Sequence, residues 1–168
     1  MRQAMLGFCI FAAACSSQPF SPTAPSGLAG VAGTQAQARG GPNIEVTFTK
    51  WIDPVLGYPH FEGVAGGDVP GDFAATVLER TPFDNGNIVA LRAEYEVIAD
   101  NPARSFKAEI EGKQNNQIGV GVLNGRVVEG WLTGARVHVT FDVIEPCPQF
   151  NKPRCFTGIL RVLAGSAH

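Results

Sequence analysis

From Asn43 onward the chain repeats one pattern, short runs in which apolar and polar residues alternate, each closed by residues that favour turns. A two-residue period places successive side chains on opposite faces of an extended strand, so each run has one dry and one wet face. Ile44, Val46 and Phe48 alternate with Glu45, Thr47 and Thr49 in the first run, which ends near Trp51, before Asp53-Pro54. A second run, His60 to Gly67, meets a third, Asp72 to about Thr81, across Val69-Pro70-Gly71-Asp72, where Pro suits the first turn centre and Gly the second. Asn85-Gly86 signals a further hairpin and leads into Val89, Leu91, Ala93, Tyr95 and Val97, alternating with Arg92, Glu94 and Glu96.

After Asp100-Asn101-Pro102, Phe106, Ala108 and Ile110 oppose Lys107, Glu109 and Glu111. The period is expected to continue through Ile118, Val120 and Val122 to a tight turn at Asn124-Gly125. Ala135, Val137, Val139, Phe141 and Val143 then alternate with Arg136, His138, Thr140 and Asp142. Val127 to Ile144 reads either as one bent strand, bulged near Gly130 and Gly134, or as two. A last strand covers Cys155 to Leu163, giving eight or nine strands and no helical pattern of useful length. Strands with one apolar face, and no helices to cover a second, predict an all-β domain. Short connections favour a closed antiparallel up-and-down β-barrel of about eight strands, with a β-sandwich as the alternative.

The runs FEGVAGGDVPGDFAATVL and LNGRVVEGWLTGARVHVTFDV resemble secreted bacterial proteins with the allene oxide cyclase and dirigent type of eight-stranded barrel. The resemblance covers roughly Asn43 to Leu163 and is carried by the rhythm of Gly and aromatic residues. It implies a fold and brings no functional residue with it.

The N-terminus reads as an address. Arg2 supplies one positive charge before the eleven-residue apolar run AMLGFCIFAAA, Ala4 to Ala14, the form of a secretory leader. A membrane span takes about 20 apolar residues, so this run is too short to be one. Ala12-Ala13-Ala14-Cys15-Ser16 resembles the lipobox of bacterial lipoproteins, which implies acylation of Cys15 and attachment to a membrane through its acyl chains. Ser16 after the Cys then implies the outer membrane in a two-membrane cell. The alternative is ordinary cleavage after Ala-x-Ala, giving a soluble secreted or periplasmic protein. Of the four cysteines, Cys9 would leave with the leader, and Cys147 and Cys155 are close enough in sequence to form a disulfide in an oxidising compartment. The expected organisation is a signal peptide over 1–15, a disordered Pro/Ser/Gly/Ala-rich tether over 16–42 and the β-barrel domain over 43–168. As a flexible coil the tether would span on the order of 30 Å.

Motifs for chemistry are scarce. Every Lys and Arg after Arg39 lies among more numerous Asp and Glu, so no basic stripe is offered to nucleic acid. GVAGGDVPG, Gly63 to Gly71, has neither the following Lys-Ser/Thr nor the helix that a phosphate cradle needs. There is no G-x-S-x-G elbow. His60 and His138 lack the companions that a metal site requires, and no motif calls for a cofactor. His138 shares the polar face of its strand, and catalytic residues are not identified.

An eight-stranded barrel is just wide enough to be filled by side chains or to hold one small ligand. Its expected interior mixes Phe61, Phe73, Phe106, Phe141 and Phe156 with Gly63, Ala65, Ala75, Ala93, Ala108 and Gly158, and adds the phenol of Tyr95. Phe61, Phe73, Tyr95, Phe106 and Phe141 are the candidate ligand-binding residues. The expected function is binding of a small apolar ligand by an envelope-anchored barrel. A filled barrel serving as a structural or interaction module is the alternative, and a cyclase or isomerase that shapes an apolar substrate is a further one.

Overall fold

A computed structural model describes residues 43–163; the leader, Cys15, the tether and His168 lie outside the described residues. Eight strands form the described domain: β1 (Ile44–Ile52), β2 (His60–Gly67), β3 (Gly71–Phe83), β4 (Ile88–Ala99), β5 (Phe106–Asn115), β6 (Val120–Gly130), β7 (Arg136–Ile144) and β8 (Cys155–Leu163). Each pairs antiparallel with the next, and β8 returns to β1, where Val46 faces Leu160 and Phe48 faces Gly158. The result is a closed up-and-down barrel. Closure leaves no free sheet edge, and the alternating pattern explains it, because every strand has one apolar face to bury.

The barrel has two unlike ends. At one, the β2–β3, β4–β5 and β6–β7 turns converge; Val69 of the first is buried, and the Arg104 guanidinium lies 4.5 Å from the Trp131 ring centre. Val46, Val97, Phe106, Val127, Val137 and Val162 fill the interior behind them. At the other end lie the β1–β2, β3–β4, β5–β6 and β7–β8 connections. Between the two halves, the Phe48 ring stacks on Phe73 at 4.7 Å, and Tyr95 packs edge-on to both, at 5.7 and 5.1 Å. Each such pair contributes about 0.5–1.5 kcal/mol beyond the area it buries, so the three rings make a firm partition.

Two expectations from the sequence are corrected. Val127 to Ile144 is two strands, but Asn124-Gly125 is no turn: both residues lie inside β6. Gly125 faces the interior, where a Cβ would overlap the Glu109 carbonyl oxygen, and the Asn124 side chain faces outward to His138 Nδ1 at 2.8 Å. The chain reverses instead before β6, where Asn115 Oδ1 accepts from the Gln117 N–H, and after it, where Leu132 and Gly134 have φ of 64° and 88°.

The phase of β6 is also the opposite of that expected. Gly121 and Leu123 face inward, whereas Val122 is 43% exposed and Ile118, in the preceding turn, 69%. Cross-strand partners share a face, and Val122 pairs with Lys113 and Thr140 on the outside. Gly121 pairs with Phe141, whose ring occupies the space that a side chain would take.

The outer face carries exposed ion pairs, Arg92 to Glu79 at 3.0 Å and Lys107 to Glu94 at 3.3 Å, which solvent screens. Cys147 and Cys155 form a disulfide that closes the β7–β8 loop.

Candidate functional site

A cavity of about 410 Å³ occupies the half of the barrel opposite the closed end. Apolar side chains from six strands make its walls: Phe61 of β2, Val77 of β3, Leu91 and Ala93 of β4, Leu123 of β6, Phe141 of β7 and Phe156 of β8. Small residues hold it open. Ala93 presents only a methyl group to it, and Gly119 at its edge has no side chain. Polar groups gather at the rim, where Gln114, Asn116, Arg80 and the ion pair of Arg154 with Glu145, at 2.7 Å, line the opening.

The floor is Lys50 with Tyr95. Lys50 is two residues beyond Phe48 on β1, so it continues the inward face of Ile44, Val46 and Phe48 and is only 4% exposed. Its ammonium nitrogen donates to the Tyr95 hydroxyl at 2.5 Å. Five rings surround that nitrogen, with centres 3.9 Å (Tyr95), 5.1 Å (Phe61), 5.8 Å (Phe141 and Phe156) and 5.9 Å (Phe48) away. The rings attract a cation through their negative faces. No carboxylate among the described residues pairs with it; the ion pairs there lie on the outer surface or at the rim. Burial disfavours the charged form and brings Lys50 down to about 7. The same burial pushes the Tyr95 phenol above its ordinary value, so it remains protonated.

Of the residues singled out in the sequence, Phe61, Tyr95 and Phe141 line the cavity together. Phe73 lies in the partition beneath them and Phe106 in the filled half; both are buried but do not reach the cavity. His60 Nδ1 meets Thr76 Oγ1 at 3.2 Å, and among the described residues no group of three or more His, Cys, Asp or Glu is placed to hold a metal. Lys50 is the residue that the sequence reading missed. A signal was available, since Lys50 is in phase with Phe48, but a charged residue ending an alternating run is ordinarily assigned to solvent.

Comparison with protein-family models, curated proteins and solved structures gave no match to this chain.

Proposed function

We propose that the open half of the barrel binds one small, largely apolar molecule, with a single polar group directed at Lys50 and Tyr95. The observation that carries this reading is the division of the interior: one half is packed solid, while the other holds a cavity of about 410 Å³ with aromatic walls and two polar groups at its floor. Ligand sites are commonly apolar clefts of roughly 300–1,000 Å³ in which a few convergent polar groups fix orientation. A barrel serving only as a scaffold gains nothing from a buried lysine, whose desolvation costs stability.

The acylated cysteine belongs to the same proposal. Cys15 would hold the protein through its acyl chains to the cell envelope, at the outer membrane if the cell has two membranes, with the segment 16–42 as a tether. Eight consecutive antiparallel strands support a place beside the allene oxide cyclase and dirigent type of barrel, as the rhythm of Gly and aromatic residues suggests.

Calorimetric titration of the purified protein with apolar alcohols tests the pocket. Saturable one-to-one binding with a negative heat-capacity change is expected, and absence of saturable binding across a series of chain lengths would overturn the reading. Metabolic fatty-acid labelling tests the anchor: an unlabelled, soluble wild-type protein would overturn it.

A further inference from the structure

The floor of the cavity is chemically specific. A ligand hydroxyl or amide would be held by many hydrogen-bonding side chains, and an acidic ligand by a fully charged one. This position instead holds a primary amine, enclosed by rings, facing open volume and touching a phenol, with no carboxylate partner among the described residues. A carboxylate ligand would have to be desolvated together with the ammonium, a cost that the attraction between them often fails to recover. A carbonyl compound needs only the neutral amine, which is the nucleophilic form.

We propose that Lys50 condenses reversibly with the aldehyde or ketone group of a small apolar molecule to form an imine, a proposal that deepens the lumen-binding reading and rests on it. The Nζ lone pair adds to the carbonyl carbon, a C–N bond forms, and the π pair moves to oxygen. The Tyr95 hydroxyl, 2.5 Å from Nζ, gives that oxygen a proton and recovers one from nitrogen, leaving a neutral carbinolamine. The C–O bond then breaks as a second proton passes from nitrogen to the departing hydroxyl. Amine and carbonyl give imine and one water, with no oxidation or reduction. The reverse is addition of water to the imine carbon, which releases the carbonyl compound and returns the amine.

The titratable and charged groups that share the cavity with Nζ are the phenols of Tyr58 and Tyr95, and Arg80, Glu145 and Arg154 at the rim. An amine held down to about 7 is substantially neutral at that pH, where an ordinary lysine is almost wholly charged. The protein has four lysines, so the other three, Lys107, Lys113 and Lys152, serve as internal controls.

The test treats the full chain, near neutral pH, with 4-butylbenzaldehyde and sodium cyanoborohydride, and locates reduced adducts by peptide mapping. Calorimetry with 4-butylbenzyl alcohol and 4-butylbenzoate reads binding without condensation. The expected result is labelling of Lys50 at least about tenfold above the other lysines, and slower labelling of Lys50 in Tyr95→Phe. Alcohol binding with adducts absent, or spread evenly over the lysines, would overturn the imine and leave the pocket standing. Tighter binding of the benzoate than of the alcohol, without a Lys50 adduct, would overturn it in favour of an ion pair. If neither compound binds and Lys50 is unlabelled, the lumen reading falls and the imine with it.

Discussion

Phe141 turns its ring across the place where Gly121 has no side chain, so that a methyl group there would overlap the ring's Cζ and Cε1. The ring forms part of the cavity wall, and the cavity is the open space into which it can retreat. Gly121→Ala should therefore push Phe141 inward, weaken binding of apolar alcohols and cost about 1–3 kcal/mol of stability. Gly63 is a useful contrast, because its added Cβ would meet the Thr49 carbonyl and the Lys50 Cα, backbone atoms that cannot turn aside. Gly63→Ala should cost more than about 3 kcal/mol. Urea unfolding compares them; equal losses would show that the ring is as immovable as the backbone.

Ala93, paired with Ile110, and Ala108, paired with Tyr95, lie on the inward faces of β4 and β5, and both are almost fully buried. Only Ala93 borders the cavity. Ala93→Phe should fill the pocket and abolish alcohol binding at little cost in stability, whereas Ala108→Phe should overpack the filled region and cost about 1–3 kcal/mol. Titration and urea unfolding of both variants provide the check, and unfolding of Ala93→Phe under conditions that leave wild type folded would contradict the cavity.

The lysine should leave a signature in the pH dependence of stability. Between about 7 and the ordinary value of 10.5, the unfolded chain holds the proton that folded Lys50 has released, so stability rises with pH across that window. Below it the folded state buries an ammonium and bears the full penalty. Lys50→Met should exceed wild type in stability near pH 6, and the gap should shrink toward pH 10 by on the order of 4 kcal/mol. Loss of the hydrogen bond to Tyr95 offsets the variant by a similar amount at each pH, so the slope is the quantity to read. A difference that stays constant with pH would show that Lys50 is charged throughout.

The disulfide lies in the loop that brings Arg154 to the rim. Phe150 of the same loop packs on Trp51 at 4.8 Å, and Lys152 reaches Glu62 at 3.8 Å. Replacing Cys147 and Cys155 with Ser should cost roughly 2.5 kcal/mol on the chain-entropy account. Mass spectrometry after alkylation of denatured, non-reduced protein tests the bond itself; two alkylated thiols in protein from an oxidising compartment would refute it.

By itself the sequence determined the class of fold. Alternation in runs such as Ile44 to Thr49 and Ala135 to Val143 is a local property with a two-residue period, and burying one face of each of eight strands requires a closed or doubled sheet. The pairing of Cys147 with Cys155 was legible for a similar reason, since the two lie close together in the chain. Tertiary structure decided what a local pattern cannot express. Asn124-Gly125 carries turn chemistry, but its backbone is held extended by β5 and β7 on either side. The phase of β6 follows from register, which put Gly121 opposite Phe141 and sent Val122 to the surface. The site depended on depth along the barrel axis: Phe61, Tyr95 and Phe141 reach the cavity, while Phe73 and Phe106, equally apolar and equally inward, lie below it. Lys50 became the floor of that cavity because closure of β8 onto β1, with Phe156 on one side and Gly63 on the other, keeps a side chain in phase with Phe48 inside the barrel.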